Sequence, residues 1–239
     1  MINVERVLRP HGDVHLEIVK PGRSGHVSPQ VPYPLRALSL QDVWKYGMPH
    51  SWLTAEVRRY RLKNFSHLWR GLWRYAVARE LGIPFMQGAL YLSILNPNGT
   101  HVHLGLVGMR AITTVGVGFI VDAFQGLTSV SSFRYHGLGT DGTAEAIGQT
   151  ALLGELTTQT SPNSTRATGS LGEGTTSGIF STVGDNLFDE SATIAEHGIL
   201  SQAAVGGGVL FDRTVFTALT ILPTLTCRST YLLTFGSGG

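Results

Sequence analysis

The spacing of apolar positions changes character along the chain. Between residues 12 and 27, Val14, Leu16 and Ile18 alternate with Asp13, His15 and Glu17. A period of two puts the apolar set on one face of a strand, and Pro21-Gly22 supplies a turn, so a β-hairpin is expected there. Residues 28–50 carry Pro29, Pro32, Pro34 and Pro49, which predict an extended arm with one short helical turn over 39–44, capped by Ser39. Over 53–81 the period becomes helical. Leu68, Leu72 and Ala76 form one i, i+4 row, and Trp69, Trp73 and Val77 form the adjoining one. Thr54 is a candidate cap, and Gly82 followed by Pro84 is the expected ending. Asn64-Phe65-Ser66 is expected to divide this helix, with Ser66 capping the second part.

Strand character returns at residue 89. Ala89 to Leu95 is apolar and β-prone, Asn96-Pro97-Asn98-Gly99 is a strong turn signal, and Val102, Leu104 and Leu106 alternate, so 89–107 reads as a second hairpin. Residues 112–123 read as a strand leading into a short helix. Beyond Gly126 the candidate strands are 130–138, 151–160, 165–170, 177–184, 191–199, 208–221 and 225–235, separated by Gly-, Ser- and Asn-containing turns. Short strands at roughly ten-residue spacing predict a mainly β fold, a β-sandwich or jelly roll. The domain reading is an N-terminal hairpin of the β domain over 1–28, an inserted, partly helical arm over 29–90, and the β-sandwich over 91–239.

Charge sharpens the division at residues 82–90. Residues 1–80 hold 13 Lys+Arg against 6 Asp+Glu, a net of +7, and all four tryptophans; residues 81–239 hold 5 against 10, a net of −5. Opposite fields of this kind let the basic part of one subunit meet the acidic surface of the next. Charged residues make up only 14% of the chain, against about a quarter in an ordinary soluble protein, so the surface is expected to be covered by Ser, Thr, Gly and Asn or buried against a partner, and both point away from a freely diffusing cytosolic enzyme. Cys227, the only cysteine, excludes an internal disulfide and a cysteine-rich zinc site, and its neighbours make it a small strand residue. Residues 1–10 carry Glu5, Arg6 and Arg9 and lack the apolar run of a signal peptide. No stretch reaches the ~20 apolar residues of a membrane helix. The expectation is a product made in a cytoplasm, with no membrane partner.

Candidate chemistry is sparse. The run Gly137-Leu138-Gly139-Thr140-Asp141-Gly142 lacks the βαβ setting and the lysine of a nucleotide loop, and its glycines are expected to supply positive φ angles. Asp141, Glu145, Asp185, Asp189 and Glu190 are oxygen donors without calcium-loop spacing. His101 and His103 share a strand face but have no identifiable third ligand. Glu196-His197 has no accompanying nucleophile motif, so His197 is expected to be a hydrogen-bonded strand-edge residue. No catalytic residue, metal or cofactor is expected, and the chain reads as non-enzymatic. The stretch 58–75 is both basic and aromatic. Trp, Tyr and Arg dominate interface hot spots, so Arg58, Arg59, Tyr60, Arg61, Trp69, Arg70, Trp73 and Arg74 are the expected partner-docking set, with an intramolecular helix of no special role and nucleic-acid binding by phosphate contact and stacking as the lesser readings.

Four segments, ITTVGVGFIVDAFQG (112–126), FRYHGLGTDGTAEAIGQTAL (133–152), AEHGILSQAAVGGGVLFDRTVF (195–216) and STYLLTFGSGG (229–239), together with the hairpin GDVHLEI (12–18), resemble a set of tailed-bacteriophage virion proteins. The resemblance covers the hairpin and residues 110–239. It implies a structural protein of the virion, assembled in the host bacterial cytoplasm, and carries no catalytic residues. Segment 29–90 has no counterpart in it. The leading expectation is a capsid decoration or cement protein that docks on the major capsid protein and self-associates as a homo-oligomer, a trimer among the options. The alternative is a tail component: a short tail fibre, a fibre anchor or a head-to-tail adaptor. A carbohydrate-binding module is the third reading, disfavoured because aromatics after residue 126 fall mostly at apolar strand positions.

Overall fold

Asn96-Pro97-Asn98-Gly99 forms the tight turn that its composition predicts. Gly99 takes φ +79°, its N–H donates to Asn96 O at 2.9 Å, and Asn96 N–H reaches Thr100 O at 2.9 Å. The turn joins β1 (Phe85–Leu95) to β2 (His101–Arg110) in an antiparallel hairpin. The computed structural model describes Tyr33 and residues 38–110, 112–173 and 178–236. The hairpin expected over 12–27 and the proline-rich residues before Tyr33 lie outside the described residues.

Among the described residues, two helices precede the hairpin. Ser39 caps α1 (Leu40–Gly47), with Asp42 returning the bond to Ser39 N–H at 2.9 Å, a reciprocal capping box. Thr54 accepts from Val57 N–H at the start of α2 (Ala55–Glu80), and Gly82, at φ +62°, ends it. α2 is continuous. The expected break at Asn64-Phe65-Ser66 is absent because Asn64 faces inward and spends its amide on the sheets. Residues 112–123 contain no strand: α3 (Thr114–Phe124) occupies most of them, with Thr113 as cap.

The remaining strands are β3 (Tyr135–Gly139), β4 (Thr160–Ser161), β5 (Ala167–Thr168), β6 (Ser170–Glu173), β7 (Ile179–Phe188), β8 (Ala192–Leu200), β9 (Leu210–Ile221) and β10 (Thr226–Gly236). They form two antiparallel sheets, a mainly β architecture consistent with a β-sandwich. One has the order β2-β1-β10-β7-β4, with β6 also on β7, and the other runs β5-β3-β8-β9. β10 pairs with β1 over its whole length, Phe85 opposite Gly236 through to Leu95 opposite Thr226. Stretch 151–160, expected to be a strand, is mostly irregular. Glu155 there turns inward to pair with Arg166.

Leu90, Leu92 and Ile94 of β1 face one way, into a core with Ile194, Phe216, Leu219, Phe188 and Cys227 from both sheets. Ala89 and Tyr91 face the other way, toward Tyr33, Val43, Leu68 and Met109. β1 is therefore buried on both faces. That explains why its sequence is a continuous apolar run with little alternation.

Candidate docking interface

α2 lies where β2, an edge of the first sheet, runs beside β9, an edge of the second. Edge strands present unpaired backbone groups, and the helix supplies partners for them. Asn64 Nδ2 donates to Val107 O of β2 at 2.7 Å, while Asn64 Oδ1 accepts from Thr217 N–H of β9 at 2.8 Å. Arg61 Nε donates to Leu104 O at 2.7 Å, and its Nη1 reaches Lys45 O and Met48 O, each at 3.2 Å. Burial pulls this guanidinium below its ordinary value. Gly71 allows close approach: a Cβ there would stand 2.1 Å from Met109 O.

The inward face consists of Val57, Tyr60, Arg61, Asn64, Leu68, Gly71 and Tyr75, at the three- and four-residue steps of one helix stripe. Two of the eight expected docking residues are on it. Tyr60 is fully buried and Arg61 nearly so, because the first packs in the sandwich core and the second satisfies carbonyls. Neither can meet a partner while the fold is intact. The other six, Arg58, Arg59, Trp69, Arg70, Trp73 and Arg74, are exposed.

The outward face sets large exposed apolar side chains among its basic ones. Leu62, Trp69 and Trp73 are 66%, 54% and 64% exposed, and Phe65 lies against Trp69 with ring centroids 5.9 Å apart. Trp44 and Trp52 are also more than half exposed, held by His50, which stacks on Trp52 at 5.2 Å and meets Trp44 edge-on at 5.5 Å. Every tryptophan of the chain thus presents most of its surface to solvent. Tryptophan is ordinarily well buried on average.

Charge pairing differs between this face and the β domain, where four of the five arginines have a carboxylate partner and Arg134 has none among the described residues. In the latter, Arg166 pairs with Glu155 at 2.5 Å, Arg213 with Glu196 at 2.5 Å, Arg228 with Asp185 at 2.6 Å, and Arg110 with Glu145. Among the described residues, Arg58, Arg59, Arg70 and Arg74 make no ion pair. Arg70 and Arg74 line a cleft of about 60 Å³ together with Arg110, Arg213, Glu145 and Thr113. The two internally paired arginines form its floor, and the two unpaired ones can receive a carboxylate from outside.

Three of the five carboxylates considered as calcium donors are spent separately on arginines: Asp141 holds Arg213 together with Glu196, Glu145 holds Arg110, and Asp185 holds Arg228. Gly137 and Gly139 do not adopt positive φ. They lie in β3, where a Cβ on Gly139 would stand 2.3 Å from Glu196 Oε1, so this glycine makes room for a buried carboxylate. His197 is not at a strand edge: β8 runs between β3 and β9, and His197 is buried against His136. His101 and His103 stand together, ring centroids 5.8 Å apart, with His103 Nδ1 hydrogen-bonded to Ser93 at 2.9 Å. Cys227 lies buried in β10, and burial pushes its thiol up to about 12.

No protein-family model, curated protein or solved structure matches the chain.

Proposed function

We propose that this chain is a non-enzymatic structural subunit of a tailed-bacteriophage virion that docks on a neighbouring subunit through the outer face of α2. The observation that carries this reading is the exposure of Trp69 and Trp73 on that face beside Arg58, Arg59, Arg70 and Arg74, which make no ion pair among the described residues. Monomeric proteins rarely keep large contiguous apolar patches on their surface, and Trp and Arg are enriched among the residues that anchor interfaces. The inner face of the helix is tied to both sheets, so its backbone is presented on a rigid support and only the outer side chains have to be ordered on binding.

The virion setting is supported by the resemblance of residues 12–18 and 110–239 to tailed-phage structural proteins. Within the virion, a decoration or cement role on the capsid accounts best for a small protein with a rigidly presented contact face, because a shell repeats a modest contact over many copies. Trp69→Ala combined with Trp73→Ala, introduced into the phage that encodes the chain, is expected to lower its occupancy in purified particles at least tenfold without altering the folded protein. Unchanged occupancy overturns the docking face. A copy number of about three to twelve in place of hundreds moves the protein to the tail.

A further inference from the structure

α3 poses a separate problem. Its inward side is accounted for: Gly116 packs so closely on β9 that a Cβ would stand 2.7 Å from Phe211 O, Ile120 is buried, and Phe119 contacts Phe133 with ring centroids 4.2 Å apart. The outward side is apolar as well. Val117, Val121 and Phe124 follow one another at i, i+4, i+7, and Phe124 is 85% exposed. The chain then turns so that Leu127 N–H bonds back to Asp122 O at 3.0 Å, leaving Leu127 and Val130 exposed beside the helix end. Gly118 lies on the same exposed side with nothing within 4 Å of its Cβ position, so a second backbone can come close.

We infer that this face is a self-association surface, occupied by the same face of a second copy of the chain. Three observations favour that occupant. The five side chains Val117, Val121, Phe124, Leu127 and Val130 offer roughly 500 Å² of apolar surface, so a symmetric pair removes roughly 1,000 Å², the lower bound for a stable protein interface. The segment 112–133 contains one charged residue, Asp122, and no Lys or Arg. A helix lying on a lipid surface carries a basic polar face, and a charged partner finds nothing here to pair with, whereas an uncharged apolar face is complementary to itself. An isologous contact also uses one patch twice, the commonest arrangement in homo-oligomers.

This surface is distinct from the outer face of α2, and its test is made on the isolated full-length chain, so either reading can fail without the other. Sedimentation velocity of the wild-type protein across the micromolar range is expected to show an oligomer. Val121→Glu with Phe124→Glu places like charges at the contact and is expected to weaken association at least tenfold while the melting temperature stays unchanged; Trp69→Ala with Trp73→Ala leaves the oligomer intact. Val121→Cys adds an accessible thiol to a chain whose only native cysteine is buried, and mild oxidation is expected to yield a covalent dimer. A wild-type protein that sediments as a monomer overturns the inference, as does an oligomer indifferent to the double charge substitution. A monomer that floats with lipid vesicles, or one in which Phe124 is protected from hydroxyl-radical labelling by its own chain, overturns it in favour of that other occupant.

Discussion

Asn64 and Thr217 are 153 positions apart, yet the Thr217 N–H donates to Asn64 Oδ1 at 2.8 Å, tying α2 to the edge of the sheet farther along the chain. The same amide donates to Val107 O at 2.7 Å. Removing it strands one buried donor and one buried acceptor, each worth about 1–3 kcal/mol. Asn64→Leu is therefore expected to destabilise the fold by about 2–5 kcal/mol in denaturant titrations. Asn64→Asp keeps the acceptor for Thr217 but loses the donor to Val107 and should fall between.

The contact between α2 and β2 leaves no room for a side chain at Gly71, where a Cβ would stand 2.1 Å from Met109 O. Alanine raises intrinsic helix propensity by about 1 kcal/mol, but here the backbone of a paired strand has to move. Gly71→Ala is expected to destabilise by about 1–3 kcal/mol, the usual cost of overpacking. A gain in stability, measured by thermal melting, contradicts the close seating of the helix.

Stability should depend on pH through two opposed groups. His136 Nδ1 lies 3.0 Å from His197 Nε2 between the sheets. Burial holds both imidazoles neutral, His136 down to about 3 and His197 well below its ordinary 6.5. The unfolded chain takes up these protons below about 6.5 and the folded chain does not. The contribution of the pair is thus complete above that pH and is lost on acidification, at about 1.4 kcal/mol per pH unit for each ring. Asp212 acts in the opposite sense. Burial raises its carboxyl to about 7 from 3.8, so its contribution is complete below 3.8 and lost as pH rises to about 7. The rings outweigh the carboxyl, and stability is expected to climb from pH 4 to about 6.5 and to gain nothing beyond. Asp212→Asn should steepen that climb, which denaturation midpoints across this range measure.

Glu196 is buried between Arg213 and the loop carrying Leu153 and Gly154. It accepts from Arg213 Nε at 2.5 Å and from Gly154 N–H at 2.6 Å. Removing one member of a buried ion pair leaves an uncompensated charge, at a cost of about 3–5 kcal/mol. Arg213 keeps Asp141 Oδ1 at 3.2 Å, so Glu196→Gln is expected to cost less than that, about 2–4 kcal/mol. Adding Arg213→Met should recover part of it, since the guanidinium that lost its buried partner is then gone. Strict additivity of the two substitutions, read from a double-mutant cycle, contradicts the pairing.

Much of this fold is legible in the order of residues because local signals agree with tertiary demands. The turn at Asn96–Gly99, the caps Ser39 and Thr54 and the Gly82 stop appear where predicted, and β7 to β10 lie close to the expected segments. The misreadings share one cause. Asn64, Gly139, Glu196 and His197 are residue types associated with breaks, loops or surfaces, and here each serves a contact with a residue distant in sequence. The same holds for the docking set. Spacing placed Trp69 and Trp73 on one face of a helix, but no local signal distinguishes Arg61, which faces three carbonyls inside, from Arg58 and Arg59, which face out. The short helix expected at the end of residues 112–123 is present as α3, but it begins earlier, because Thr113 caps it and Gly116 seats it against Phe211, so the strand expected before it does not form.

The proposal that the chain docks in a tailed-phage virion through the outer face of α2 is tested most directly by an image reconstruction of phage particles from its source. The expected map shows repeated copies on the virion, with Trp69, Trp73 and Arg74 against an acidic surface of the adjoining subunit. Density in which that face points to solvent in every copy, or a particle that contains none of the protein, contradicts the proposal.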